Sequence, residues 1–214
     1  MEVCMKRGLF ITFEGNDGAG KTTVCKEVEK ALSEKGYEVL YTREPGGSHI
    51  AESIRNILLD VKNNEMDARC EALLYAASRR QHLVEVVLPA LQEGKIVLCD
   101  RFVDSSLAYQ GIAREIGMDS VWEINKFAID GLMPEKTLFF SVSVETGQKR
   151  MNLRGDKNRL DLEESTFHQK VRQGYEMLCE KYADRIQVID AEKDLKTVVN
   201  QALEEVLKVV KSYE

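Results

Sequence analysis

Short apolar runs alternate with longer helical patterns along this chain. Five runs of four to seven residues are rich in apolar or β-branched side chains, which predicts β-strands. We place these strands at residues 9–13, 38–41, 96–99, 138–144 and 186–189. Strands that are separated by helices in this way are typical of an α/β protein with a mostly parallel sheet.

Helical periodicity fills the segments between the strands. It is clearest at the end of the chain, where an apolar stripe runs from Leu195 to Val210 after Asp194, a suitable N-cap residue. A break is expected near Pro89, because proline cannot donate the backbone hydrogen bond of a helix interior. We predict helices at residues 21–35, 49–59, 71–93, 105–111, 120–129, 145–152 and 165–182, and from residue 195 onwards.

These elements predict one α/β domain over residues 1–214, with a central parallel five-stranded sheet and helices on both faces. The sequence contains no long linker, repeat or low-complexity tract that would divide it. One polar, charged segment, at about residues 153–163, lacks apolar periodicity and is therefore set apart from the packed elements.

Composition narrows the class of protein. The net charge of −6 argues against a nucleic-acid-binding protein, since duplex binding depends on a basic face. We find no signal peptide and no apolar stretch of about 20 residues that would span a membrane. The five cysteines are scattered and include no Cys-x-x-Cys pair, which favours reduced thiols. We therefore expect a soluble, cytoplasmic protein with no nucleic-acid or membrane partner.

A glycine-rich sequence follows the first predicted strand at once and matches the P-loop pattern G-x-x-x-x-G-K-[ST]. Its residues are Gly15, Asn16, Asp17, Gly18, Ala19, Gly20, Lys21 and Thr22. Glycines let the backbone N–H groups surround phosphate oxygens, Lys21 neutralises the β- and γ-phosphates, and the Thr22 hydroxyl binds Mg²⁺. A strand before the motif and a helix after it are the context that it requires. The sequence therefore predicts a nucleoside triphosphate site.

A P-loop alone does not decide the reaction, because switch proteins and kinases share it. The sequence 125–128 begins like the guanine-reading N-K-x-D motif of GTPases. However, Ala128 replaces the aspartate that reads the base, and the segment lies in a predicted helix, on whose surface we place it. A P-loop switch protein is the alternative from another class of function. The alternative within kinases is an enzyme for another nucleoside monophosphate or a deoxynucleoside.

A second polar group, Asp100 and Arg101, comes directly after the third predicted strand. The carboxyl ends of parallel strands border the ligand crevice of such sheets. At that edge Asp100 can hold the Mg²⁺ shell, and Arg101 can bridge the phosphates of donor and acceptor. An ordinary surface ion pair is the alternative interpretation of these two residues.

Four stretches resemble the thymidylate kinase family in its bacterial form. The string from Leu98 to Gln110 is similar to the pattern D-R-[FYH]-x-x-S-x-x-A-[FY]-Q, which other nucleoside monophosphate kinases lack. Residues 13–23, 42–47 and 71–79 also agree with the family, and the first of these extends the P-loop to Thr23. The resemblance runs from about residue 8 to residue 190. It implies a P-loop kinase that transfers the γ-phosphoryl group of ATP to dTMP with Mg²⁺, as a homodimer.

The resemblance also implies residues that recognise the thymine base. Tyr75 matches an aromatic residue that stacks on the ring, although most relatives carry phenylalanine there. Arg79 matches the arginine that donates to the thymine O4 oxygen and so rejects the amino group of cytosine. Gln110 matches an amide near N3, and Ser105 lies beside the same base edge. Singly, each aromatic could instead belong to the core and each arginine to a solvated helix surface.

The acceptor phosphate and sugar have matching residues as well. Arg55 and Arg101 match arginines that clamp the acceptor phosphate, for which a bidentate guanidinium is well suited. Asp17 matches a carboxylate near the 3′-hydroxyl of the deoxyribose, and Tyr109 matches a ring that crowds the 2′ position. The resemblance places Glu44, from the 42–47 stretch, in the same substrate pocket.

The polar segment 153–163 matches the lid of this family, which closes over the triphosphate. Four cations cluster around it: Arg150, Arg154, Lys157 and Arg159. Some family members carry the catalytic arginine in the P-loop, at the position of Gly18 here. Since Gly18 has no side chain, the resemblance implies that the lid supplies this charge, and a solvated charged loop is the alternative. The full set of catalytic candidates is Lys21, Arg101, Arg150 and Arg159.

Overall fold

The computed structural model describes residues 8–153, 155 and 157–213. Its centre is a sheet of five parallel strands in the order β2-β3-β1-β4-β5, which confirms the predicted architecture. The strands are β1 (Leu9–Glu14), β2 (Val39–Arg43), β3 (Ile96–Asp100), β4 (Lys136–Ser141) and β5 (Ile186–Asp190). Phe13 at the end of β1 pairs with Asp100 at the end of β3. The P-loop and Arg101 therefore begin side by side at one edge of the sheet.

Helices cover both faces of the sheet in the described part of the chain. They are α1 (Lys21–Glu34), α2 (His49–Leu59), α3 (Ala68–His82), α4 (Leu88–Gln92), α5 (Val103–Ser106), α6 (Met118–Ile129), α7 (Val144–Asn152), α8 (Ser165–Lys181) and α9 (Leu195–Tyr213). Two π-helical segments, Leu83–Val87 and Leu107–Ala113, and a 3-10 turn at Leu160–Leu162 complete the regular structure of these residues. None of the described helices is long and apolar enough to span a membrane.

β1 shows how the alternation of side chains divides the core. Leu9, Ile11 and Phe13 belong to a buried cluster with residues of α1 and α9 on one face of the sheet. Phe10 belongs to a second cluster, on the other face, with Val97 of β3 and residues of the α3–α4 region. Because both faces are covered, every residue of β1 is buried, which explains its continuous apolar run.

The long helix predicted over residues 71–93 is made of three consecutive segments. It consists of α3, the π-helical segment Leu83–Val87 and α4. Pro89 follows this π-helical segment closely, and it lacks the N–H group that a residue inside a continuous helix donates to the preceding turn. The helix is therefore irregular near Pro89, as the sequence predicts, and the irregularity is the π-helical segment just before the proline.

Two further boundaries differ from the sequence prediction. The helix expected at 105–111 begins earlier, as α5, and continues as the π-helical segment Leu107–Ala113, a geometry that is frequent at functional sites. The strand expected at 138–144 is shifted to Lys136–Ser141. The chain leaves the sheet there because Ser143 is the N-cap of α7 and accepts a 3.2 Å hydrogen bond from the Thr146 N–H.

Candidate functional site

A cavity of about 490 Å³ lies at the carboxyl edge of the sheet, a size that is usual for small-molecule sites. All of the residues predicted to bind the acceptor line it: Asp17, Glu44, Arg55, Tyr75, Arg79, Arg101, Ser105, Tyr109 and Gln110. The predicted metal ligands Thr22 and Asp100 also line it. The fold thus brings these residues together from segments that are far apart in the sequence.

The P-loop forms one end of the cavity. Its lining residues are Asp17, Gly18, Gly20, Lys21, Thr22 and Thr23, whereas Gly15, Asn16 and Ala19 do not line the cavity. The Lys21 ammonium donates a 2.8 Å hydrogen bond to the backbone carbonyl of Asn16. Burial, followed by the charge of Arg101, lowers the pKa of Lys21 to about 8. A backbone carbonyl thus positions Lys21 inside the loop, where its ammonium can pair with a phosphate.

Close packing of the P-loop against α7 explains why the loop carries no arginine. Gly18 has a φ of 78°, and a Cβ atom there would overlap the carbonyl oxygen of Gly147 in α7. A Cβ atom at Gly147 would in turn lie 2.6 Å from the carbonyl oxygen of Asp17. Further along α7, Arg150 lines the cavity and donates to the carbonyl of Ala191 at 3.1 Å. The helix that excludes a side chain at Gly18 thus brings an arginine to the same cavity.

Oxygen ligands beside the P-loop fit a divalent cation. The Thr22 hydroxyl donates a hydrogen bond to the Asp100 carboxylate. Hydroxyl and carboxylate oxygens, with phosphate oxygens from a nucleotide, are the ligands that Mg²⁺ prefers. These two residues therefore have the chemistry that a magnesium site at the P-loop needs.

A second group of possible metal ligands, Glu44, His82 and Cys99, has ligand atoms within 4.8 Å of one another. These atoms already have partners. Glu44 accepts from Arg79 Nε at 2.7 Å and pairs with His82 Nδ1 at 3.0 Å, and the Cys99 thiol donates to the carbonyl of Arg101 at 3.1 Å. Burial and the charge of Glu44 raise the pKa of the Cys99 thiol, which disfavours a metal-binding thiolate. We interpret the group as a hydrogen-bonded network that fixes the loop after β2.

Arg101 lies at the centre of the polar wall next to the P-loop. Its φ of 72° is in the left-handed region, which is uncommon for residues other than glycine. The guanidinium donates to Asp17 at 2.5 Å, to Ser105 Oγ at 3.1 Å and to the Tyr109 hydroxyl at 3.2 Å. Burial alone would raise the pKa of Asp17, but the charges of Arg101 and Lys21 outweigh it and lower that pKa to about 2. Asp17 is therefore ionised at neutral pH.

Two buried residues that support Arg101 are absent from the sequence prediction, namely Glu14 and Tyr175. Glu14 accepts hydrogen bonds from the hydroxyls of Ser105, at 2.6 Å, and Tyr175, at 2.8 Å. Burial raises the pKa of the Glu14 carboxyl to about 7. A charged residue at the end of an apolar strand is the signal that could have identified Glu14. Tyr175 comes from α8, far along the chain, and has no such signal.

The cavity has two further arginines, Arg55 and Arg43, the second of which the sequence prediction missed. Both line the cavity, and both donate to the carbonyl of Pro45, at 2.8 and 2.7 Å respectively. Arg43 also forms a 3.0 Å ion pair with Glu52. Two guanidinium groups with one carboxylate between them leave a net positive wall, which suits an anionic ligand.

Arg79 also lines the cavity and is only 1% exposed. It donates to the Glu44 carboxylate at 2.7 Å, the carbonyl of Phe102 at 3.0 Å and the Ser106 hydroxyl at 3.2 Å. Its fourth partner is the side-chain oxygen of Asn125. Asn125 is thus buried in α6 rather than on the helix surface, where the sequence placed it, and it belongs to a helix rather than to a guanine-reading loop.

Gln110 also lines the cavity, as does Tyr75, which lies one turn before Arg79 on α3. Gln110 Nε2 donates to Glu71 Oε1 at 2.8 Å. Glu71 is completely buried and also accepts from Arg114 Nη2, at 3.2 Å, and from Arg159 Nη2, at 2.6 Å. One carboxylate thus joins a residue of the cavity wall to an arginine of the polar segment 153–163.

The structure separates the two arginines that the sequence proposed for catalysis in or near this segment. Arg150 lines the cavity, whereas Arg159 is buried beside Glu71 and does not line it. Arg159 Nε donates to the carbonyl of Leu58 at 2.9 Å. Lys157 is exposed to solvent, and Arg154 lies outside the described residues. In this conformation a ligand in the cavity would therefore contact Arg150 and not Arg159.

Comparisons with known proteins point to one family. A family model described as Thymidylate kinase matches residues 13–202. Thymidylate kinase of Bacillus pumilus is 57% identical and that of Clostridium novyi is 54% identical, with alignments that cover 95% and 98% of this chain and 95% and 99% of theirs. The crystal structure of thymidylate kinase from Ehrlichia chaffeensis matches with a TM-score of 0.75 and 35% identity, over 96% of this chain and 99% of that one.

Proposed function

This chain belongs to the thymidylate kinase family, and on that premise we propose that it transfers the γ-phosphoryl group of ATP to dTMP, forming ADP and dTDP. The observation that carries the proposal is that a P-loop and an arginine-rich pocket line one cavity. A kinase needs its donor and acceptor in line and within reach of each other, and a single cavity provides that arrangement.

The P-loop end binds the donor in this proposal. The backbone N–H groups of the loop and the Lys21 ammonium hold the β- and γ-phosphates. Thr22 and Asp100 would hold Mg²⁺, which when bound neutralises phosphate oxygens. Arg150, at the same end of the cavity, stabilises the negative charge of the phosphoryl group in transfer. We assign the lid of the family to residues 153–163.

Four residues that line the cavity bind the acceptor phosphate and sugar in this proposal. Arg55 and Arg101 hold the phosphate of dTMP, and Asp17 accepts a hydrogen bond from the 3′-hydroxyl. Tyr109 lies beside the sugar, where its ring would crowd a 2′-hydroxyl. No side chain has to remove a proton, because the attacking phosphate oxygen is already an anion.

The thymine base occupies the end of the cavity that contains Arg79. Tyr75 offers its ring face for stacking, and Gln110 and Ser105 border the base edge. Arginine has five N–H donors, and within the described part of the chain the partners of Arg79 occupy four of them. The remaining donor is on Nη2, and we assign it to the thymine O4 oxygen. Cytosine, with an amino group at that position, would leave this donor without an acceptor.

We further propose that the protein acts in the cytoplasm as a homodimer that forms through α3 and α6. These helices pack together and expose apolar side chains, with Phe127 of α6 90% exposed and Leu73 of α3 56% exposed. Phenylalanine is enriched at protein–protein interfaces relative to the rest of a protein surface. Sedimentation equilibrium should therefore give twice the chain mass, and Phe127→Lys should shift the equilibrium towards the monomer.

A coupled assay of ADP release tests the proposed reaction with dTMP, dUMP, dCMP, dGMP and thymidine as acceptors. The highest kcat/KM should be obtained with dTMP. A higher value with another acceptor would contradict the proposal. A switch protein, the alternative from another class, would hydrolyse the triphosphate slowly without any acceptor and would retain one nucleotide tightly.

A further inference from the structure

Glu71 occupies an unusual position between the base end of the cavity and the segment 157–163. It lies in the first turn of α3 and is completely buried. Oε1 accepts from Gln110 Nε2 at 2.8 Å, and Oε2 accepts from Arg159 Nη2 at 2.6 Å. Gln110 and Arg159 are thus held by different oxygens of one carboxylate, and Arg114 donates to both oxygens.

The contact with Gln110 fixes the orientation of an amide that lines the cavity. An ionised carboxylate only accepts hydrogen bonds, so the NH₂ group of Gln110 must face Glu71. The Oε1 oxygen of Gln110 is then the end of the amide that can serve a ligand. Thymine has an N3–H donor for this oxygen, whereas N3 of cytosine is an acceptor and would oppose it.

The contact with Arg159 holds the segment 157–163 against the body of the protein. Arg159 also donates from Nε to the carbonyl of Leu58, at 2.9 Å, and from its backbone N–H to the carbonyl of Leu59, at 3.2 Å. Leu59 and two neighbours of Arg159, Asn158 and Leu160, line the cavity. The contacts of Arg159, together with the ion pair of Glu163 with Arg114, therefore keep this segment in the cavity wall.

The charges show that Arg159 and Arg114 depend on Glu71 to different degrees. Arg114 pairs with both Glu71 and Glu163. Glu71 is the one carboxylate partner of Arg159 among the residues that the structure describes. Loss of the Glu71 charge would leave Arg159 buried without its counter-ion, which is strongly unfavourable. Arg114 would keep a counter-ion, namely Glu163.

We propose that Glu71 is a positioning residue that couples recognition of the acceptor base at Gln110 to docking of the segment 157–163 through Arg159. The proposal rests on the proposed acceptor site. A base that pairs with Gln110 restricts the amide, the amide restricts the Glu71 carboxylate, and the carboxylate holds Arg159 in its docked position. The acceptor alone, without ATP, therefore stabilises the docked segment.

Thermodynamic linkage makes this coupling measurable from both sides. If dTMP stabilises the docked segment by a given factor, docking must raise the affinity for dTMP by the same factor. Couplings of this kind are typically about fivefold or more. Arg159→Met removes the charge that Glu71 holds, so it should weaken dTMP binding. The loss of affinity should equal the factor by which dTMP slows hydrogen exchange of the segment in the wild-type protein.

Hydrogen exchange of the peptide that covers residues 157–163, measured with and without dTMP and with no ATP present, tests the proposal. In the wild-type protein dTMP should slow this exchange about fivefold or more. In Glu71→Gln the effect of dTMP should disappear, and kcat/KM for dTMP relative to dCMP should fall because the Gln110 amide is no longer oriented. The exchange response of the P-loop peptide to ATP should be retained.

Glu163→Gln is the matched control within the same segment, since it removes the ion pair of the segment with Arg114 but leaves the contacts of Glu71 with Gln110 and Arg159 intact. It should keep the response of the segment to dTMP. If Glu71→Gln also keeps that response, or the wild-type segment does not respond to dTMP at all, the proposed coupling is wrong.

If Glu71→Gln does not fold, the proposed coupling is tested with Arg159→Met and Arg159→Lys instead. The methionine variant should lose the response and the lysine variant should recover part of it, because lysine retains a charge for Glu71. A full response in Arg159→Met would overturn the coupling. If the proposed function itself is wrong, the wild-type protein will show no preferred turnover of dTMP. That result distinguishes a wrong function from a wrong coupling.

Discussion

The two ends of the cavity are constructed in opposite ways. At the base end, Arg79 and Glu71 are buried, and each has three or more side-chain or backbone partners. At the donor end, the residues that the structure describes give the cations Lys21 and Arg150 one hydrogen-bond acceptor each, the backbone carbonyls of Asn16 and Ala191. The groups that recognise the acceptor are therefore fixed in place before the acceptor binds. The cations that stabilise phosphate charge remain available to pair with a ligand.

The difference follows from what each end has to do. Discrimination between bases requires donors and acceptors whose positions do not adapt to the wrong ligand, and buried ion pairs provide such rigidity. Stabilisation of a transferring phosphoryl group requires cations whose charge is not already neutralised. An arginine that is paired with buried carboxylates is suited to the first task, and a lysine held by one carbonyl is suited to the second.

The largest effect is expected from removal of the donor-end charge in Lys21→Met. Turnover should fall about 10³-fold, because the phosphates lose their one ammonium within the P-loop. Steady-state measurement of ADP release gives the change in kcat. Lys26→Met, further along α1, removes a lysine that lies over the Tyr41 ring instead and should change kcat little. Equal losses in the two variants would contradict the assignment.

The next effect separates the two arginines near the polar segment. Arg150→Ala should lower kcat about 10²-fold while the KM values change less, because Arg150 lines the cavity and acts on charge in transfer. Arg159→Ala should act mainly on the affinity for dTMP. Lys149→Ala, which removes only an exposed ion pair with Glu145, is the matched control. A larger loss of kcat in Arg159→Ala would return the catalytic role to that residue.

Arg79→Ala tests the base end. The KM for dTMP should rise about tenfold or more, because a donor of the base pocket is lost and Glu44 is left buried with one partner fewer. The KM for ATP should stay within about twofold. Arg80→Ala is the control, since Arg80 is the neighbouring arginine but pairs with the exposed Asp130. A similar rise in the KM for ATP would mean that Arg79 is structural.

The smallest expected effect is a pH trend that arises behind Arg101. Burial raises the pKa of Glu14 from its ordinary 4.5 to about 7, so the folded protein favours the protonated form. The contribution of Glu14 to stability is therefore fully present below about pH 4.5 and is lost as the pH rises towards 7. Between these limits the free energy of unfolding of the wild type should fall relative to that of Glu14→Gln, by on the order of 2 kcal/mol. Urea denaturation at several pH values measures this difference, and a constant difference would contradict it.

Most of the fold and of the cavity wall could be predicted from the sequence. The five strands follow from apolar runs, and their carboxyl ends bring the P-loop and Arg101 together by the geometry of parallel sheets. Local patterns such as the P-loop and the string from Leu98 to Gln110 contain enough consecutive information to assign roles by resemblance. The predicted acceptor residues all line one cavity for this reason.

The partners of these residues could not be predicted, because they come from distant segments and have no local pattern. Glu71 and Tyr175 are ordinary members of amphipathic helices until the fold places them beside Gln110 and Arg101. The burial of Arg159 is likewise a tertiary property, since an isolated arginine in a polar segment gives no sign of a buried carboxylate partner. Local sequence predicts which side chains line the site, but not what holds them in place.

If the acceptor end is formed before the donor binds, calorimetric titration should detect dTMP binding whether or not the donor site is occupied. The titration is performed once without nucleotide and once with a non-hydrolysable ATP analogue and Mg²⁺. We expect dTMP to bind in both cases, with Kd values within about threefold of each other, because little ordering of the pocket remains to be done. Binding that is detectable only when the ATP analogue is present would contradict it.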